Sequence, residues 1–410
     1  MKKATLLLLC GALAFCACHK DPVETPSKDA GLDGEAVNLE GLTKSSGKLF
    51  VLNEGSMGAN NSTLDMLRFS DASYVTGVFK KMNAGAAAGL GDVGNDIAVH
   101  GDEVWIVVNN SGLVEVLSAK DETEIATVTV PTPRNIAFDS DYAYVTSWAG
   151  AYANYSYDSN GNSTLGDYRN PKGQLYRINL ATKKLEGSVE VGWQPEGVAC
   201  YGGKVYVANS GGIASQLPPD YAYDNTVSII DAASFKVVQT VAVEVNLKNV
   251  FSDGRGTIYV SSFGNYWNIH SGLYAFSAAS PSEVRKIYVA PMKEDATFVS
   301  CSFIAGDTVY CIGTPDEFDW SMPHIYSVWS VSTADASKKD SRVTFYPMEL
   351  SGTPYGLAVT GDISKYLFVG DAGDYFNPGT VSCYRLEESD GTPLWKVTAG
   401  VCPGHFALYQ

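Results

Sequence analysis

The chain has 410 residues, 45% hydrophobic and only 18% charged, with 40 Gly and 24 Tyr. That composition fits a turn-rich all-β protein, large enough for one big domain or two ordinary ones, and speaks against a helical bundle. A formal net charge of −16, with no basic cluster, argues against nucleic acid or an anionic lipid surface as a partner.

The chain begins with a leader. Lys2 and Lys3 make a positive start, and Leu6 to Ala14 form an apolar run too short to span a bilayer. Residues 1–17 therefore read as a signal peptide. The stretch Leu13-Ala14-Phe15-Cys16-Ala17-Cys18 resembles a lipobox, the bacterial lipoprotein signal in which the Cys after the cut carries the lipid. Cys18 is the expected lipidation site, with Cys16 the other candidate. Acyl chains on one Cys anchor a protein without a transmembrane helix. The expected location is the outer-membrane surface of a Gram-negative cell. Residues 18–46 are rich in Pro, Asp, Glu, Gly and Ser, with no apolar period, and predict a flexible tether. The mature cysteines Cys200, Cys301, Cys311, Cys383 and Cys402 are scattered without CxxC spacing, so no thiolate metal site is expected. Buried free thiols are expected, with a Cys301–Cys311 pairing left open.

From residue 47 onward a phrase repeats: a turn residue, then apolar residues alternating around a small one. It reads PRNIAF from Pro133, PEGVAC from Pro195 and PYGLAV from Pro354, with looser copies at Gly94, Leu247 and Phe298. A second strand follows each of these six copies. The copy at Pro403 has no strand after it, and the strand KLFVLN from Lys48 has no copy before it. A ring reconciles the two orphans, because the C-terminal strand then supplies the inner strand of the first unit. Closure of that kind removes sheet edges, and a spacing of about 40 to 60 residues is that of propeller blades. The expected fold is all-β, one seven-bladed β-propeller over residues 47–410.

YVTS at Tyr144, YVAN at Tyr206 and the segment NTVSIIDAASFKVVQTV from Asn225 resemble YVTN/YncE-type propeller repeats. With LFVLNEGSMGANNSTLDML from Leu49, WIVVNNSGLVEVL from Trp105 and the leader, the chain is similar to YncE-like surface lipoproteins of Bacteroidetes. The resemblance implies BtuG-type capture of a corrinoid such as cobalamin, delivered to a TonB-dependent outer-membrane transporter. It implies a binder and not an enzyme, with no cofactor.

In a propeller, the loops joining second to third strands share a face with the starts of the inner strands. Those loops are the long ones and are dense in aromatics, which give rigid contact area with a polar tip. The expected ligand contacts are Tyr152, Tyr155, Tyr157, Tyr221, Tyr223, Tyr266, Trp267, Phe318, Trp320, Tyr375 and Phe376. The inner-strand starts add a ring at the channel mouth: Asn95, Asp96, Arg134, Asn135, Trp193, Glu196, Lys248, Asn249, Tyr355 and His405. Arg134 and Lys248 either donate to a ligand or pair with Glu196; the sequence leaves both open. The ring also raises an enzyme alternative, a Ca²⁺-dependent propeller lactonase using Asn95, Asp96, Asn135, Glu196 and Asn249 as oxygen ligands, which the adjacent Arg134 and Lys248 oppose. Other readings are a surface binder of a glycan, haem or siderophore, and an adhesion or scaffold propeller. No nucleophile elbow, P-loop, dinucleotide fingerprint or haem CxxCH is present.

Overall fold

The structure, a computed structural model, describes residues 33–37, 47–86, 89–149, 155–157, 163–165, 172–211, 223–265, 269, 271–287, 298–314, 326–332, 343–360, 366–387 and 390–410. At 155–157, 163–165, 298–301, 314, 343 and 347 only the backbone is described.

Seven antiparallel sheets form a seven-bladed propeller. The inner strands are Pro403–Tyr409 for blade 1, then Gly94–His100, Pro133–Phe138, Pro195–Tyr201, Leu247–Ser252, Phe298–Ala305 and Pro354–Val359 for blades 2 to 7. All seven copies of the repeated phrase are thus inner strands. Closure occurs as expected: Lys48–Asn53 pairs with Pro403–Tyr409, Phe50 opposite Ala407 and Val51 opposite Phe406. The seam is tight. A Cβ on Gly356 would fall 2.2 Å from the Gly404 carbonyl oxygen, and one on Gly370 would fall 1.9 Å from that of Pro403. Only glycine permits such backbone approach.

The blades are held together by one residue type at one position. The third residue of every second strand is aromatic: Phe50, Trp105, Tyr144, Tyr206, Tyr259, Tyr310 and Phe368, all buried. From Trp105 onward each packs into a cluster shared with the following blade. Aromatic rings supply the area needed to fill the gap between twisted sheets, and truncating one costs about 3–5 kcal/mol.

One segment departs from expectation. Glu35–Ala36, inside the stretch read as a tether, is a fifth strand on blade 1: Glu35 lies opposite Tyr74, and Val37 N donates to Ala72 O at 2.9 Å. It covers the outer edge of a blade whose fourth strand, Ser73–Val75, is short, and so hides unpaired backbone groups.

Candidate functional site

The channel mouth is built by a turn that recurs before the inner strands. Val93, Thr132, Gln194, Asn246 and Cys402, each immediately ahead of an inner strand, have φ between 36° and 61°. A side chain there is strained by roughly 1–2 kcal/mol. The strain is offset by backbone bonds to the end of the second strand: Asn109 N to Val93 O at 2.7 Å, Phe263 N to Asn246 O at 3.0 Å and Glu54 N to Cys402 O at 2.9 Å. The ends of second strands therefore stand beside the starts of inner strands on one face. The long loops leave from that face, and in blade 3 the loop carries its own hairpin, Tyr155–Tyr157 with Ser163–Leu165.

Two polar clusters line the mouth. In the first, Glu196 of blade 4 lies between two cations. Arg134 of blade 3 donates through Nε to Oε2 at 3.2 Å and through Nη2 to Oε1 at 3.1 Å. Lys248 of blade 5 donates through Nζ to Oε2 at 3.0 Å. The Arg134 guanidinium also lies over the Trp148 ring, 4.3 Å from its centroid. Burial pushes the Glu196 carboxyl up, but Arg134 and Lys248 outweigh it, so the group titrates below its ordinary range.

In the second cluster, Glu54 is held from two sides. Tyr355 donates its hydroxyl to Oε2 at 2.7 Å, and His405 Nε2 lies 3.0 Å from Oε1. Burial again pushes the Glu54 carboxyl up; His405, Tyr355 and the more distant Lys248 reverse that and bring it below its ordinary range. Burial and the Glu54 charge raise the Tyr355 phenol well above its ordinary value, so it stays a donor. Asp96 bridges toward this side. Its carboxylate accepts from Ile136 N and Ile97 N, both at 2.9 Å, and burial leaves it raised in spite of His405.

Arg134 and Lys248 thus both pair with Glu196. Tyr355 and His405 converge on Glu54, a residue missed in the sequence. Glu54 closes the orphan strand from Lys48, and counting second-strand ends as ring positions would have found it. Two of the ring's amides bond internally, Asn95 Nδ2 to Arg134 O at 2.7 Å and Asn249 Nδ2 to Ser302 Oγ at 3.1 Å, while Asn135 Oδ1 is buried without a hydrogen-bond partner. Of the five oxygen donors a Ca²⁺ site would draw on, Glu196 is already engaged by two cations. Among the described residues no group of three or more His, Cys, Asp or Glu is arranged to hold a metal ion.

The aromatics divide. Tyr375 packs edge-on to Tyr355, ring centroids 5.8 Å apart, and is 48% exposed; Phe376 is 78% exposed. Met57, 68% exposed, follows Ser56, whose hydroxyl donates to Tyr375 O at 3.4 Å. Blades 7 and 1 therefore raise an apolar lip beside the Glu54 cluster. Trp193 is half-buried with Lys172 Nζ 5.1 Å from its centroid, and Tyr223 is half-buried at the base of the blade 4 loop. Tyr155 and Tyr157 have backbone described, in the hairpin. Tyr152, Tyr221, Tyr266, Trp267, Phe318, Trp320 and Cys18 lie outside the described residues. Cys200, Cys383 and Cys402 are free thiols, and the backbone of Cys311 lies opposite Ser302 and that of Cys301 opposite Ile312.

No protein-family model matches the chain. No curated protein matches it in sequence. Among solved structures, a chain of Kuenenia stuttgartiensis hydrazine synthase is similar, with a TM-score of 0.55 at 16% identity over 76% of this chain and 88% of that one. A likeness at that identity shows the propeller fold alone.

Proposed function

We propose that the protein is a non-catalytic, lipid-anchored surface propeller that binds a corrinoid at the channel mouth and passes it to a TonB-dependent outer-membrane transporter. The observation that carries the binding role is the exposed lip of Met57, Tyr375 and Phe376 beside a ring whose charges are already paired. A ring of that kind offers fixed donors and acceptors. An exposed apolar edge next to fixed polar groups suits a broad ligand with apolar faces and an amide-rich periphery, which is the shape of a corrinoid. The corrinoid itself, the lipid anchor at Cys18 and the transporter rest on the resemblance to YncE-like surface lipoproteins.

The test is calorimetric titration of the mature protein with cyanocobalamin. One-to-one binding that weakens by about tenfold or more, a loss near 1.4 kcal/mol, when Tyr375 and Phe376 are both changed to Ala supports ligand and face together. Absence of binding at micromolar cobalamin rejects the corrinoid. Haem, siderophores and glycans are then titrated with the same pair of variants. If none of them binds, the binder role fails and an adhesion or scaffold role takes its place.

A further inference from the structure

The seven blades share one layer of side chains in register. Each second-strand aromatic faces a third-strand residue, which in turn faces a fourth-strand residue. In blade 1 the layer is Phe50, Met66 and Val75; in blade 2 it is Trp105, Val116 and Ala126. In blade 3 it is Tyr144, Arg177 and Gly187, with the guanidinium stacked 4.6 Å from the Phe235 ring; in blade 4 it is Tyr206, Ile229 and Gln239. Blade 5 has Tyr259, Ala275 and Arg285, and blade 7 has Phe368, Cys383 and Trp395. In six blades a large or long side chain thus accompanies the aromatic, or the aromatic is itself a tryptophan. Blade 6 breaks the pattern with Tyr310, Ser330 and Thr344, two small hydroxyl residues in succession.

The consequence is a cleft of about 490 Å³ where the blade 6 layer meets blade 7. It opens on the face opposite the mouth, since Thr308 follows the short turn between first and second strands and pairs with Ser332 at the end of the third. Its wall is a ladder of hydroxyls from three strands: Thr308, Ser332, Ser330 and Thr344. Tyr346 stacks on buried Tyr310, with centroids 6.4 Å apart, and its hydroxyl lies 3.0 Å from Ser330 Oγ. Phe345 stands 37% exposed at the rim, and Glu387 of blade 7 supplies one carboxylate. The strand Val343–Leu350 bulges between the partners of Ser327 and Trp329; Phe345 is still regularly paired, opposite Trp329 and so on the other face of the sheet from Thr344, while Tyr346 falls within the bulge and its ring returns to the cleft side.

We propose that this cleft is a second binding site, for a neutral, hydroxyl-rich ring of the carbohydrate class. A hydroxyl is one donor and a double acceptor, which complements the alternating donors and acceptors of a polyol; part of that capacity is already used at Thr308, which donates to Asp307 Oδ1 at 3.1 Å, and at Ser330, bonded to Tyr346. A carboxylate accepts from a pair of neighbouring hydroxyls, and the edge of the Tyr346 ring, on the cleft side, covers the C–H face of a pyranose. The volume falls within the range of small-ligand pockets. Anions are disfavoured, since the described lining holds Glu387 and no cation. The site is independent of the channel mouth, and its fate does not depend on cobalamin binding.

The experiment is titration of the mature protein, by calorimetry and saturation-transfer NMR, with methyl glycosides of glucose, galactose, mannose and xylose, with maltose and cellobiose, and with glucuronate as charged control. Expected is saturable binding of at least one neutral sugar, weakened at least about tenfold in Thr344→Trp, which installs the tryptophan blade 7 carries at Trp395. Ser332→Ala and Glu387→Gln weaken it as well and leave thermal unfolding unchanged, so the test survives if Thr344→Trp fails to fold. The proposal is overturned if no neutral sugar binds at about 10 mM. It is equally overturned if glucuronate alone binds, or if Ser332→Ala and Glu387→Gln leave the affinity as it was.

Discussion

The channel mouth and the cleft between blades 6 and 7 handle polar side chains in opposite ways. At the mouth, Glu54, Glu196, Arg134 and Lys248 are half-buried or buried and bonded across neighbouring blades. In the cleft, the polar groups are short hydroxyls around open volume. A buried charge must be matched by a partner or it destabilises the fold, so charges draw blades together. A hydroxyl costs little to leave facing water, so hydroxyls leave room. Polarity alone therefore says nothing about where a ligand fits; the size and charge of the polar group decide it.

The comparison breaks first at Glu196. Glu196→Ala leaves Arg134 12% exposed and unpaired, and about 3–5 kcal/mol of stability is expected to be lost, read from urea or thermal unfolding. Trp395→Ala, which hollows blade 7 toward the state of blade 6, is expected to cost a similar 3–5 kcal/mol or slightly less because the ring is partly solvated. Tyr355→Phe removes one donor from the buried Glu54 carboxylate and is expected to cost about 1–3 kcal/mol. Thr344→Ala in the cleft is expected to stay within about 0.5 kcal/mol, since its surroundings are already open. A Thr344→Ala cost as large as that of Trp395→Ala would erase the distinction between the two layers.

Acid sharpens the contrast further. Glu54 and Glu196 have folded-state pKa values lowered from the ordinary carboxylate range. Their contribution is therefore present above the unfolded value, about 4.3, and is lost as pH falls through the lowered folded values. Asp96 is raised and acts with the opposite sign, so acid relieves its burial. Stability measured from pH 7 down to about 3 is expected to fall less steeply in Glu196→Gln than in the wild type, while Thr344→Ala leaves the profile unchanged. Equal profiles for Glu196→Gln and wild type would show that the Arg134–Glu196–Lys248 cluster has no part in acid stability.

How much could be read in advance differs between fold and site. The inner strands at Pro133, Pro195 and Pro354 share a turn signal and a two-residue period, which local chemistry imposes whatever the neighbours are. The strand at Glu35–Ala36 was hidden, because two residues among Pro, Gly and Glu carry no period of their own and pair only once Tyr74 is in place. Glu54 was hidden for a related reason: it belongs to the ring through a bond to Cys402, at the other end of the chain.

Repetition in the chain was enough to specify seven blades and their closure by the C-terminal strand, because each blade is a local antiparallel hairpin stack that needs only its own alternation. Partnership across blades was a different matter. Glu196 meets Arg134 62 residues before it and Lys248 52 residues after it, and nothing local distinguishes that pairing from contact with a ligand. The hollow at Ser330 and Thr344 likewise exists only once three strands are in register and blade 7 is seated beside them, since volume is a property of packed neighbours and not of a residue.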